Sequence, residues 1–125
     1  MTPRLHERLE VWQDAMDLVT MTYQFCLSIP NSEKFGLISQ MQRASVSIPS
    51  NIAEGAARDT TKDYVRFLVI ARGSLAELET QIKICHRLGF HADAETTLQQ
   101  CNKVFAKLSA LIQSLKRKME IEPSY

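Results

Sequence analysis

Apolar side chains recur at every third or fourth position along most of the chain, a spacing that places them on one side of an α-helix. Four segments follow this pattern. They are separated by the breaker sequences "IPNSE", "RDT" and "RLGFH". The pattern predicts helices over about residues 11–28, 33–57, 61–88 and 92–118.

The third and fourth predicted helices have the most regular apolar stripes, with spacings that alternate between four and three residues. This is the heptad spacing of helices that pack side by side. Thr60 and Asp63 have the spacing of a capping box at the start of the third helix, and Gly89 follows its end. Because the loops are short, we expect an all-α, up-down-up-down antiparallel four-helix bundle that occupies residues 1–125 as one domain.

The first two predicted helices each carry an unusual feature. Leu18, Phe25 and Leu27 widen the apolar stripe of the first, so we expect that helix to be well buried. Pro49 lies in the middle of the second, where a proline removes one hydrogen bond and pushes against a carbonyl of the preceding turn. We therefore expect a kink near Pro49, with two shorter helices as the alternative.

Polar side chains form a line along the second helix, beside its apolar stripe. Small residues surround this line, which favours close contact with another helix over a solvated face, the other interpretation. The third helix carries matching groups at mid-length. If the two helices are antiparallel, Arg43 lies near Ser74 and within reach of Glu77, so we expect a polar network with an Arg43–Glu77 ion pair. Whether the network forms within or between subunits is left open. Its expected members are Gln40, Arg43, Asn51, Glu54, Arg72, Ser74 and Glu77.

The first half of the third helix, "YVRFLVIARG", is apolar around most of its circumference. A four-helix monomer buries only one side of such a helix, and the remainder would form an exposed patch of the kind that marks an interface. We expect identical subunits to meet here in a closed ring. The expected contact residues are Val65, Phe67, Val69 and Ile70.

Composition and charge narrow the functional classes. The chain has a formal net charge of +1 and three cysteines, all on apolar stripes, so we expect them in the core. An odd number of cysteines and the absence of a long apolar run favour a cytoplasmic protein with no membrane contact. The histidines are scattered and no phosphate-binding loop occurs, so we expect no catalytic residue, no metal and no cofactor.

Basic residues gather at one predicted end of the bundle. Five lie between Lys103 and Lys118 with no acid among them, and others surround the turn between the second and third helices. Neighbouring acids dilute this end, so it is either a solvated helix terminus or a patch that contacts phosphates. The candidate nucleic-acid-binding residues are Arg58, Lys62, Arg66, Lys103, Lys107, Lys116, Arg117 and Lys118.

Three stretches, "LEVWQDAMDLV", "QMQRASVSIPSNIAEGAAR" and "RFLVIARGSLAELETQ", resemble the four helix bundle proteins of the 23S rRNA intervening-sequence family, over about residues 9–115. The chain is also similar to the accessory variability determinant of diversity-generating retroelements, which binds nucleic acid and a reverse transcriptase. The resemblance implies a homopentamer. We expect a non-catalytic oligomeric accessory protein that binds RNA or DNA through its basic end; the alternative is a protein-interaction scaffold without a nucleic-acid role.

Overall fold

The protein is described by a computed structural model that covers residues 3–90 and 93–121. Four long helices account for most of this part of the chain, and it contains no strand. They are α1 (Glu10–Cys26), α2 (Ser39–Ala56), α3 (Thr61–Arg87) and α4 (Ala94–Ile121). The predicted all-α fold and the number of helices are therefore confirmed.

Shorter helical turns flank these elements. A 3-10 turn, Leu5–Arg8, precedes α1, while a second 3-10 turn, Asn31–Glu33, and a π-helical turn, Lys34–Ile38, precede α2. The predicted second helix therefore starts too early, since Gly36 leaves helical geometry (φ −110°, ψ −111°). The predicted start of the fourth helix, residue 92, lies outside the described residues.

The four helices occupy the corners of a square. α1 packs against α2 and α4, and α3 packs against the same two helices, so α1 and α3 are diagonal. Each helix contributes a fully buried side chain to the common core: Leu18, Ile48, Leu75 and Leu108. Burying a side chain of this size stabilises the fold by roughly 1.5–3 kcal/mol.

The helix α2 is continuous through Pro49, which is itself buried. The alternative of two shorter helices was therefore wrong, whereas a bend near Pro49 stays a prediction. Side chains add hydrogen bonds to this turn: Ser50 Oγ donates to the Val46 carbonyl (2.7 Å) and Asn51 Nδ2 to the Ser47 carbonyl (2.8 Å). Neither bond goes to the Ser45 carbonyl, which is the acceptor that loses its helical donor to Pro49.

The helix α1 is less buried than its apolar stripe predicted. Met16 and Tyr23 are 43% and 44% exposed, and Leu27 is 86% exposed. Only the side of α1 that carries Ala15 and Leu18 reaches the core. Of the three residues expected to widen the stripe, Leu18 and Phe25 are buried, at 0% and 5% exposure, so the expectation of a well-buried helix is confirmed there and was wrong at Leu27.

Candidate nucleic-acid interface

The turn between α2 and α3 is held in place by a cap and a close helix contact. Thr60 Oγ1 accepts a hydrogen bond from the Asp63 backbone N–H at 3.1 Å, which confirms Thr60 as the cap of α3 and one of the two bonds of the predicted capping box. At Gly55 the two helices approach so closely that a Cβ atom would lie 2.9 Å from Phe67 Cβ. These contacts fix the position of Phe67 beside the turn.

Two arginines lie over the ring of Phe67. The guanidinium carbons of Arg58 and Arg66 are each 4.6 Å from the ring centroid, which is cation–π geometry. Arg58 also pairs with Glu54 at 2.6 Å, and Arg66 lies 3.6 Å from Asp63. Both arginine side chains remain well exposed, at 41% and 59%. A guanidinium stacked on a ring keeps its N–H edge free to bind an anion.

The end of α4 adds further cations. Lys116, Arg117 and Lys118 are exposed, while Met119 packs against the core and anchors this last turn. In an up-down-up-down bundle α4 ends where α3 begins, so these cations share an end with the turn after α2. We call this set the basic end: Arg58, Lys62, Arg66, Lys116, Arg117 and Lys118.

Lys103 and Lys107 do not belong to the basic end, which corrects the predicted set. They lie 13 and 9 residues before Lys116, or about 20 and 14 Å along the helix. Lys107 Nζ is 2.5 Å from Asp14 Oδ2 and 3.2 Å from Glu10 Oε2. The hydrogen bond to Asp14 raises the pKa of Lys107. With Lys103 at 3.5 Å from the same carboxylate, these lysines tie α4 to α1.

The predicted network between α2 and α3 forms only through its small polar members. The hydroxyls of Ser47 and Ser74 share a hydrogen bond of 2.8 Å, and Asn51 Nδ2 donates to Ser47 Oγ at 3.0 Å. Ser47 therefore occupies the position opposite Ser74 that the sequence suggested for Arg43, one helical turn away. We call Ser47, Asn51 and Ser74 the polar seam.

The charged members of that network do not meet. Arg43 is exposed and makes no ion pair within the described chain, and Glu77 instead accepts a hydrogen bond from Gln81 Nε2 at 3.2 Å. The expected Arg43–Glu77 ion pair is thus not formed within one chain. Gln40 and Arg72 also make no hydrogen bond or ion pair with the described residues, and Glu54 pairs with Arg58.

Only two of the four residues of the predicted subunit contact on α3 are exposed in the structure. Val69 and Ile70 are exposed, at 41% and 43%. Val65 and Phe67 are buried within the chain, at 8% and 9% exposure, so their assignment to an exposed patch was wrong. The sequence shows a glycine at position 55, but only the structure places it against Phe67.

The cysteines are buried, as their positions in the sequence predicted. Burial raises the pKa of Cys26 to about 11 and that of Cys101 to about 12, and it also raises the pKa of Cys85. They therefore remain thiols at neutral pH, whereas a nucleophilic cysteine needs the thiolate.

Within residues 3–90 and 93–121, no group of three or more His, Cys, Asp or Glu side chains is arranged to hold a metal ion. None of the described helices is long and apolar enough to cross a membrane.

Comparison with known proteins identifies relatives of the chain. Residues 7–113 match the family model described as 23S rRNA-intervening sequence protein. A crystal structure of a protein with unknown function from the S23 ribosomal protein family of Bacteroides thetaiotaomicron superposes with a TM-score of 0.74 at 18% identity. The match covers 82% of this chain and 95% of that one, and at this identity it shows a shared fold. No curated protein matches the chain.

Proposed function

We propose that this chain, which belongs to the 23S rRNA-intervening sequence protein family, is a non-catalytic, oligomeric accessory protein that binds the phosphates of RNA or DNA through its basic end. The observation that carries the proposal is the pair of guanidinium groups stacked on Phe67. Both lie 4.6 Å from the ring centroid on an exposed end of the bundle. Arginines held in this way lose little side-chain freedom when they bind a phosphate.

The ion pairs at this end leave capacity for a phosphate. A guanidinium has five N–H donors, and Arg58 uses one nitrogen for Glu54. Exposed ion pairs contribute little free energy, so a phosphate can displace or share them. Lys62 and the three cations near the end of α4 extend the same surface.

A salt-dependent gel-shift assay with a structured fragment of rRNA and with duplex DNA tests the proposal. Lys116, Arg117 and Lys118 are changed together to Gln, and Arg58 and Arg66 to Gln in a second variant. Each phosphate contact that is lost should lower the slope of log K against log salt by about 1, up to about 3 for the triple variant.

The matched control removes the same charge from the opposite end of the bundle. Lys34, Lys83 and Arg87 are exposed there, and their joint change to Gln should leave both affinity and salt slope unchanged. If the basic-end variants bind as wild type, or if the control loses as much affinity, the basic end is not the binding surface.

An interaction scaffold without a nucleic-acid role is the second candidate. It is favoured by the large exposed apolar side chains Met16 and Tyr23 of α1 and Leu27 directly after it. The two functions are separated by the same assay at low salt. A wild-type protein that assembles but shows no shift with either nucleic acid would support the scaffold.

A further inference from the structure

Each arginine that lies over Phe67 also has a neighbouring carboxylate. Arg58 Nη2 is 2.6 Å from Glu54 Oε1, which is short even for a hydrogen bond between charged groups. Arg66 Nε is farther from Asp63 Oδ1, at 3.6 Å. The two carboxylates are 54% and 46% exposed, so solvent screens both pairs. A phosphate that binds these arginines therefore competes with two carboxylates, and Glu54 is the stronger competitor.

The position of Glu54 gives no advantage to its own helix. It lies in the last turn of α2, two residues before Ala56, where the negative end of the helix dipole disfavours a carboxylate. Asp63 lies in the first turn of α3, where the dipole favours a carboxylate. Within the described chain, Glu54 forms an ion pair only with Arg58. This pairing is therefore the one contribution that the described structure gives to the Glu54 carboxylate.

Phe67 holds the Arg58 guanidinium independently of Glu54. The guanidinium carbon is 4.6 Å from the ring centroid, and the close contact with Gly55 fixes the ring itself. Because the ring supports the arginine, the departure of the carboxylate does not remove the guanidinium from the site. One anion can thus replace another on an arginine that stays in position.

We propose that Glu54 limits the affinity of the basic end for phosphates. Its carboxylate occupies Arg58 in the free protein and leaves when a phosphate binds. Arg66, whose carboxylate is more distant, is the arginine that a phosphate reaches first. A nucleic-acid backbone has further phosphates for the other cations of the basic end, and these contacts help it to displace the carboxylate. The inference rests on the proposed function and concerns the regulation of that same site.

Glu54→Gln tests the inference in the salt-dependent gel-shift assay. The substitution keeps the length of the side chain and removes the competing charge. At about 50 mM salt the affinity for the rRNA fragment and for duplex DNA should rise by about threefold to tenfold, because one exposed ion pair and one carboxylate–phosphate repulsion are lost. The gain should shrink as salt is added, since these charges are exposed.

Asp59→Asn is the matched control. Asp59 is exposed, follows Arg58 directly and makes no ion pair with the described residues. Its substitution removes the same charge from the same turn without freeing an arginine, so the affinity should rise by less than about twofold. A gain as large as that of Glu54→Gln would mean that only the total charge matters, and it would overturn the inference.

A double-mutant cycle with Arg58→Gln shows whether Glu54 acts through this arginine. The gain from Glu54→Gln should disappear in the Arg58→Gln background, because no guanidinium is left to be freed. Both side chains are well exposed, so each variant should keep its fold. A gain of the same size in both backgrounds would refute competition for Arg58.

Inorganic tripolyphosphate separates this inference from the proposed function. Isothermal titration calorimetry with this anion measures the phosphate site without a nucleic acid. Tighter binding of tripolyphosphate by Glu54→Gln, with no gel shift for any variant, would keep the inference and remove the nucleic-acid function. If Arg58→Gln weakens nucleic-acid binding while Glu54→Gln binds both ligands as wild type does, the function stands and the inference falls. Absence of binding to either ligand, in wild type and in Glu54→Gln, would overturn both.

Discussion

The side of α2 that faces α3 is polar and closed, whereas its side towards α1 is apolar and open to solvent at its outer edge. On the closed side the polar seam is hydrogen-bonded across the helices at 2.8 Å, and Gly55 lies against Phe67. On the open side Val46 is 43% exposed in a groove.

This contrast shows that small residues with paired hydroxyls can bring two helices closer together than large apolar side chains do. Serine and glycine allow a short interhelical distance, and the hydroxyls satisfy one another once water is excluded. The larger side chains between α1 and α2 hold the outer surfaces apart and leave a groove. Four experiments test whether the two sides of α2 differ in this way.

Among single substitutions, the largest effect is expected at Gly55. Gly55→Leu should lower the free energy of unfolding by about 3 kcal/mol, because even its Cβ atom would overlap Phe67 and the Tyr64 carbonyl. Urea denaturation measures the loss. The matched control is Gly73→Leu, which has open space and should stay within about 1 kcal/mol of wild type. Equal losses at the two glycines would mean that the α2–α3 contact is not specially close.

Alkaline pH tests whether the interior stays closed. Burial raises the pKa of Cys26 to about 11 and of Cys101 to about 12, above the ordinary value of 9.0. The folded state therefore keeps protons that the unfolded state has lost, so stability is full below pH 9.0 and falls as pH rises through the raised values. The fall should approach about 1.4 kcal/mol per thiol for each pH unit.

The raised pKa of Lys107 acts in the same direction. Denaturation midpoints between pH 8 and 11 measure the combined slope, and Cys101→Ala should make that slope shallower by the share of one thiol. A flat profile above pH 9.0 would show that water reaches the cysteines in the folded state.

A smaller effect is expected in the polar seam. Ser47→Ala should destabilise by about 1–2 kcal/mol, since it leaves Ser74 and Asn51 without a shared partner. A double-mutant cycle with Ser74→Ala should give a coupling of about 1 kcal/mol. Ser50→Ala is the control: that exposed hydroxyl bonds only a carbonyl of its own helix. Absence of coupling between Ser47 and Ser74 would show that the polar seam does not stabilise the contact between α2 and α3.

The smallest effect is expected on the open side. Val46→Gln should change the free energy of unfolding by no more than about 0.5 kcal/mol, because most surface substitutions have effects of this size. Thermal unfolding under conditions where the protein is a single chain measures it. A loss comparable with that of Ser47→Ala would indicate that the groove is closed in solution.

Much of the architecture was predictable because it depends on local chemistry. The four helices follow from apolar spacing, the start of α3 from Thr60, and the burial of the cysteines from their positions on apolar stripes. The candidate site was predictable in part. The turn after α2 and the end of α4 stand out as basic, but the stacking of two arginines on Phe67 depends on a helix contact that the pattern does not specify.

The helical segments can be read from the sequence, because the repeat of apolar residues is a property of neighbouring positions. Which polar groups of different helices meet depends on the tertiary structure. Asp14 and Lys107 pair across 93 positions, and Ser47 instead of Arg43 lies opposite Ser74. It also decided that α1 exposes Met16 and Tyr23. The register and the angle between helices set these contacts, and both depend on the packing of side chains that are distant in the chain.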